Sequence, residues 1–247
     1  MIDSHAHILS EYYEDIDSLI KELKSKKILK VINCASGFKD IDEILNLSKK
    51  YNGFLYPAIG IHPENVNDLD NIEKLEDLIK NNKIIAIGEI GLDYYWNKDN
   101  KELQKELFIR QLDLAEKYNL PIIVHIRDSI GDCYDILKTR KLKGIIHCYS
   151  GSYEMAINFI KLGYKLGIGG VLTFKNSKLR ELIEKIGIND LVLETDSPYL
   201  SPEPFRGKQN NPYNVYYVLN KIFEITGIDK NKILEVTNNN ITSIFDI

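Results

Sequence analysis

All five histidines of this chain (His5, His7, His62, His125 and His147) stand at the end of a short apolar run, and Glu89 and Asp196 close runs of the same kind. Imidazole and carboxylate together hold zinc, manganese or nickel, and so small a set of histidines leaves none scattered over the surface. The pattern predicts a metal site assembled from strand tips. Side chains alternate along a strand, so His5 and His7 share a face with Asp3 beside them, and both imidazoles can reach one ion. Glu89 sits in Ile87-Gly88-Glu89-Ile90-Gly91-Leu92-Asp93, where glycines admit a close approach, and a bridging carboxylate suits the position. One histidine like His125 or His147 would read as a hydrogen-bonded core residue. Two at successive strand ends read as ligands. Asp196 closes the last run. Strict alternation also turns Glu194 inward, so either a second carboxylate supports the site or a bulge turns one of the two away.

The elements that must position these groups are short β-branched runs at 1–7, 29–35, 54–61, 84–89, 121–126, 144–148, 164–170 and 191–196, with Lys/Glu-rich amphipathic segments between them. Eight near-continuous apolar strands with room for a helix after most of them suit a parallel sheet buried on both faces. The segment 101–118 carries Leu103, Leu107, Leu114 and Tyr118 close to helical period. Eight β-α units predict an α/β fold, a (β/α)8 TIM barrel, with the site at the C-terminal ends of the strands, where the candidate ligands stand. A doubly wound open sheet would show a Gly-rich phosphate turn after its first strand, and His5-Ala6-His7 stands there instead. The Pro-rich stretch 198–212 follows the eighth strand directly and reads as a substrate-facing loop.

With 247 residues, 44% of them hydrophobic, the chain can bury a large core, and one barrel domain over 1–247 is expected. A formal charge of −4 excludes a broad basic surface that holds nucleic acid by counterion release, so a polyanion must be gripped locally. Cys34, Cys133 and Cys148 form no CxxC pair and no disulfide framework, which predicts a reducing, cytoplasmic setting. Neither a secretion signal nor a membrane span is expected.

In order along the chain, Ile2-Asp3-Ser4-His5-Ala6-His7, Gly60-Ile61-His62-Pro63, Gly88-Glu89-Ile90-Gly91-Leu92-Asp93-Tyr94, Pro121-Ile122-Ile123-Val124-His125-Ile126-Arg127-Asp128, His147-Cys148-Tyr149-Ser150-Gly151 and Glu194-Thr195-Asp196-Ser197-Pro198 resemble the motifs of the TatD family of metal-dependent deoxyribonucleases, within the amidohydrolase-like barrels. The resemblance covers nearly the whole chain and implies a two-metal hydrolase. It implies one ion on His5, His7, Glu89 and Asp196, and a second on Glu89, His125 and His147, with Asp196 as general base. Two ions about 3.5–4 Å apart can activate a shared water and stabilise charge on a phosphodiester. The resemblance also admits magnesium for turnover. Gln209 stands where the family commonly has arginine, which bears on how strongly the loop after strand eight grips phosphate, and Ser243 stands where arginine often precedes an apolar pair near the C-terminus.

The expected activity is a deoxyribonuclease acting on DNA, single-stranded or at ends, probing termini more readily than duplex interiors, with no membrane and no obligate protein partner. Two rivals share the site: hydrolysis of another ester or amide, such as the ester linking a D-amino acid to tRNA, and metal-stabilised binding without catalysis. His62 is assigned to substrate contact by the resemblance, although Pro63 equally makes it a turn residue. Arg127 and Arg206 are candidate phosphate contacts because guanidinium pairs with phosphate in a bidentate way; a surface salt bridge is the alternative. Tyr94-Tyr95-Trp96 either stacks a nucleobase or plugs a helix. Asp128 is expected to cap the next helix, Asp3 and Asp93 to orient imidazoles, Cys34 and Cys148 to be small filler, and the charge runs at 21–30 and 98–106 to be solvated helix faces.

Overall fold

The computed structural model describes residues 1–247. Eight parallel strands, β1 (Ile2–Ala6), β2 (Lys30–Cys34), β3 (Leu55–Ile59), β4 (Ala86–Asp93), β5 (Ile122–Arg127), β6 (Gly144–Ile146), β7 (Lys165–Ile168) and β8 (Leu191–Leu193), pair in sequence order. Between and after them run α1 (Ile16–Ser25), α2 (Ile41–Lys50), α3 (Ile72–Asn81), α4 (Lys101–Tyr118), α5 (Ile130–Leu137), α6 (Tyr153–Lys161), α7 (Leu179–Ile186), α8 (Val215–Thr226) and α9 (Lys230–Phe245). This is the (β/α)8 barrel that the run spacing predicts. No helix is long and apolar enough to cross a membrane.

Alternation along the strands builds two apolar layers. Val31, Ile122, Val124, Ile146, Leu191 and Leu193 pack outward against the helices. Ile2, Ile32, Ile123, Ile145 and Val192 fill the barrel, and Ile241, Ile244 and Phe245 of α9 pack with them. The ninth helix thus closes the N-terminal end of the ring and leaves the opposite end for chemistry, a role that the eight-unit reading did not contain.

The ring closes through the residues that the sequence marks for chemistry. Beyond the end of β8, Asp196 N–H donates to His5 O at 3.0 Å and His7 N–H to Ser197 O at 2.7 Å. The Asp3 carboxylate accepts from Thr195 N–H at 3.0 Å and from its hydroxyl at 2.6 Å. Asp3 therefore secures the β8–β1 seam and touches no imidazole, which corrects its expected role.

Several boundaries differ from expectation for one physical reason, local irregularity at the site. β1 carries a bulge between Asp3 and Ala6, so interior-facing Ile2 is followed three residues later by inward-facing His5 and simple parity fails. β4 carries another between Ile87 and Ile90 and runs on to Asp93, so Glu89 lies in mid-strand and does not end it. β7 and β8 are shorter than the runs that announce them. In α4, Leu103 is 47% exposed, while Gln104 and Gln111 are fully buried on the face of Leu107 and Leu114. Asp128 is exposed with φ +54°, and α5 has Ser129 as its N-cap, so Asp128 does not cap that helix.

Candidate metal centre

Four donor atoms converge at the barrel mouth, from His5 on β1, His7 just beyond it, Glu89 on β4 and Asp196 in the loop after β8. His5 Nε2 and His7 Nε2 lie 3.1 Å apart. Glu89 Oε2 is 3.4 and 3.6 Å from them, and Asp196 Oδ1 3.6 and 3.5 Å. A tetrahedron of nitrogen and oxygen donors around zinc has edges of about 3.4 Å, set by bonds of about 2.1 Å. In donor type, and in these five separations, the set fits a divalent cation.

The other oxygen of Glu89 faces a second group. Oε1 is 2.7 Å from His125 Nδ1, 3.5 Å from His147 Nε2 and 3.7 Å from His62 Nε2. His147 stacks on His5 with ring centroids 3.7 Å apart, and its Nε2 is also 3.9 Å from Asp196 Oδ1. Thus His5, His7, His62, Glu89, His125, His147 and Asp196 come together in one cluster. His62 does two things: its Nδ1 accepts from Glu64 N–H at 3.3 Å as the cap of the turn after β3, and its Nε2 reaches the cluster. Of the whole group only His62, Asp196 and His125 show appreciable side-chain exposure, at 12%, 13% and 16%, so the cluster opens on their side.

Electrostatics reinforce the fit. Burial opposes ionisation of Glu89, yet the surrounding imidazoles, His147 foremost, and the hydrogen bond with His125 hold it well below the ordinary glutamate range. Burial likewise opposes ionisation of Asp196, and His147 and His7 pull it down. Burial would neutralise His125 and His147, but Asp93 and Glu89 raise the first to about 9, and Glu194 and Glu89 raise the second to about 10. Protons on these imidazoles supply the positive charge that a cluster of buried carboxylates demands, and a cation would supply it instead. His62 goes the other way, to about 3, because burial and the neighbouring His125 keep it neutral.

Behind the donors stands a second layer. His7 Nδ1 hydrogen-bonds Cys34 O at 2.9 Å, which directs its Nε2 lone pair at the cluster. His147 Nδ1 lies 3.1 Å from Glu194 Oε1, and the same oxygen accepts from Cys148 N–H at 2.6 Å. Glu194 is therefore the supporting carboxylate of the two readings open for it. It has room because residue 167 is glycine: a Cβ there would lie 2.2 Å from Glu194 Oε2. Asp93 Oδ2 contacts His125 Nε2 at 3.0 Å, as expected of an orienting residue. Gly91, at φ +147°, lets β4 lie against His125 O, where a Cβ would come within 2.0 Å. Cys34 is buried with Sγ 3.4 Å from His5 Nδ1, and Cys148 is half-buried on the rim.

Sequence reasoning missed a set of buried amides that pin the backbone beside the donors. Asn33 accepts from Ile8 N–H at 2.7 Å and donates to Ile8 O at 3.0 Å, next to His7. Gln111 makes the same pair with Ile61, next to His62, at 2.7 and 3.0 Å. Gln104 grips Asp93 N–H and C=O, both at 2.8 Å. Asn210 donates to Thr195 O and Tyr199 O on either side of Asp196. The available signal is a glutamine recurring seven residues apart inside the apolar stripe of α4. Arg127 and Arg206 lie outside the cluster. Arg127 is over the Tyr95 ring at 4.0 Å and Arg206 over Phe174 at 4.4 Å. Tyr94 is buried and donates to Asp132, whereas Tyr95 and Trp96 are exposed, so the aromatic triplet divides between the two expectations. Gln209 donates to Tyr12 O at 2.6 Å.

Comparison with known proteins agrees with this geometry. The profile of the family described as TatD related DNase matches residues 2–246. The chain is 37% identical over 254 residues to the uncharacterized metal-dependent hydrolase YabD of Bacillus subtilis, spanning 100% of this chain and 99% of that protein. It is 36% identical over 248 residues to the uncharacterized metal-dependent hydrolase MJ1582 of Methanocaldococcus jannaschii, spanning 99% and 96%. The crystal structure of YjjV, a TatD homologue from Escherichia coli, matches with a TM-score of 0.91 at 30% identity, covering 100% of this chain and 98% of that one. The chain therefore belongs to the TatD-related DNase family and is a metal-dependent hydrolase.

Proposed function

We propose that this protein is a deoxyribonuclease that removes nucleotides from DNA ends, with two divalent ions, one held by His5, His7, Glu89 and Asp196 and the other by Glu89, His125 and His147. The observation that carries the reading is the division of Glu89, whose Oε2 faces one donor set and whose Oε1 faces the other. Bound there, such ions polarise a phosphoryl oxygen and lower the pKa of an attacking water.

The chain's own residues supply the rest. Asp196 is ionised and partly open to the mouth, so it takes the proton that the water loses. Glu194 and Asp93 fix the rings of His147 and His125 so that no reorientation accompanies the reaction. His62, neutral and on the open side, meets the substrate, while Arg127 and Arg206 on the rim answer its phosphate charge. A centre sunk below the strand-end loops admits a terminus more easily than a duplex interior.

The test is a substrate panel on chelator-stripped protein, with zinc, manganese, nickel and magnesium added back singly. End-labelled single-stranded DNA should be shortened from one end. Inertness towards DNA with every metal would overturn the proposal, and turnover of D-aminoacyl-tRNA alone would reassign the same centre to ester hydrolysis.

A further inference from the structure

Five arginines divide into two classes. Arg110, Arg140 and Arg180, on or just beyond the outer helices, each have a carboxylate within 4.0 Å. Arg127 and Arg206, on the barrel rim, have no ion-pair partner, and both sit over aromatic rings instead. An unpaired guanidinium held on a ring keeps its hydrogen-bonding edge free and its position fixed.

The first of these places is built with care. Tyr95 and Trp96 are 52% and 63% exposed, with rings edge to face at 4.9 Å. Arg127 covers both, at 4.0 and 5.2 Å from the ring centroids. Asp93 Oδ1 accepts from Tyr95 N–H and Trp96 N–H at 2.9 and 3.1 Å, and its other oxygen touches His125. One carboxylate therefore ties the exposed aromatic pair to the cluster. The second place is a cavity of about 210 Å³ lined by Phe174, Lys175, Asn176, Ser177 and Arg206, with no acidic residue in its wall and no ion-pair partner for Lys175.

We propose that Tyr95, Trp96 and Arg127 form a platform on which an unpaired nucleobase stacks, and that the Arg206–Lys175 cavity holds a phosphate of the same strand on the other side of the mouth. The proposal deepens the deoxyribonuclease reading and rests on it: the substrate is a single strand crossing the metal centre between two anchors. The anchors follow β4–β5 and β7–β8, three strand positions apart around the ring. At roughly 4.8 Å per strand that arc is about 14 Å, which stacked nucleotides at roughly 3.4 Å each span with about four. Bases inside a duplex have both faces covered and cannot use the platform, which leaves a blunt duplex only its terminal faces. Selection for a single strand follows from this, as does poor handling of mononucleotide-sized substrates.

Trp96 is the chain's single tryptophan, so its emission reports directly on the platform. Chelator-stripped protein is titrated with short oligothymidylate, with a blunt duplex of equal length, with polyphosphate and with polyglutamate. The expected result is saturable quenching by oligothymidylate at least about tenfold tighter than by the duplex, since each stacked base contributes about that factor or more. Polyphosphate and polyglutamate should quench little. By anisotropy of a labelled oligothymidylate, Trp96→Ala should weaken binding at least about fivefold and Trp96→Phe much less. Arg206→Ala should flatten the logarithmic salt dependence by about 0.7, one phosphate contact on a single strand. Phe223→Ala, an exposed aromatic on the last turn of α8, serves as the unaffected control. Equal affinity for duplex, or quenching by polyglutamate to the same extent, would overturn the platform. Hydrolysis of DNA without quenching would also overturn it, whereas quenching without hydrolysis would uphold the platform and sink the nuclease reading instead.

Discussion

Replacing Gln111 by leucine should destabilise the protein far more than its position on a helix suggests. The side chain is fully buried and makes two hydrogen bonds to one residue, Ile61, 50 positions away, at 2.7 and 3.0 Å. Leucine fills a similar volume but leaves a buried N–H and a buried C=O unpaired, each costing about 1–3 kcal/mol. The sum is about 2–6 kcal/mol, and for a chain of this size each kcal/mol lowers Tm by about 2–4 °C. Calorimetry should therefore show Tm lowered by roughly 5–20 °C. Because Ile61 precedes His62, the variant should also raise KM more than it lowers kcat. Gln111→Glu adds a pH signature. Its carboxylic acid can still donate to Ile61 O, so the folded state raises the pKa of that group above its unfolded value of about 4.3. Stability from this bond is then present below about pH 4 and lost as pH rises through the folded pKa. A Tm within about 2 °C of the parent for Gln111→Leu would refute the clamp argument.

The other predictions concern the centre itself. Glu89→Ala should strip metal from both donor sets and abolish hydrolysis, checked by elemental analysis beside the assay; full retention of both would exclude the bridging role. Asp196→Asn should keep the fold, read by circular dichroism, and lower kcat by about 10²–10⁴-fold as expected for loss of a general base. Gly167→Ala pushes a Cβ against Glu194 and frees His147, so metal affinity should fall about 10–100-fold, the usual cost of losing an outer-shell partner. For metal-free protein, His125 and His147 hold protons with pKa values near 9 and 10, above the unfolded value near 6.5. That stabilisation is complete below about pH 6.5 and fades as pH climbs through 9 to 10, so the Tm of stripped protein should drop over that window while the metal-loaded form is largely spared. An unchanged difference between the two forms from pH 6.5 to 10 would contradict the charge balance described for the cluster.

The barrel was legible in the sequence because parallel strands buried on both faces leave unbroken apolar runs, and these eight do. The cluster was legible because histidine is scarce here and a chain has few reasons to end apolar runs with it. What escaped notice depends on backbone irregularity and on long-range pairing. The bulges at Asp3–Ala6 and Ile87–Ile90 shift facing by one residue, and no composition rule marks them. Gln104, Gln111, Asn33 and Asn210 look like surface residues by type, and only the meeting of distant elements shows that each bonds buried backbone. Regular alternation puts Asp3 beside the imidazoles; the bulge gives its carboxylate to Thr195. Ile241, Ile244 and Phe245 read as an ordinary amphipathic helix until the open floor of the ring gives them something to cover.

The seam between β8 and β1 has a consequence for how the molecule holds together. Asp3 and Thr195 are 192 residues apart, and His5, His7 and Asp196 lie on the two lips of the same junction. A cation gripped by those three side chains is a clasp as well as a reagent, fastening the first strand to the last. Closing a loop of that length in an unfolded chain costs on the order of 5 kcal/mol, so the clasp can contribute stability of that order when fastened. Amide protons of His7, Thr195 and Asp196 should then be the ones whose exchange slows most when metal is added, ahead of any on the far side of the ring.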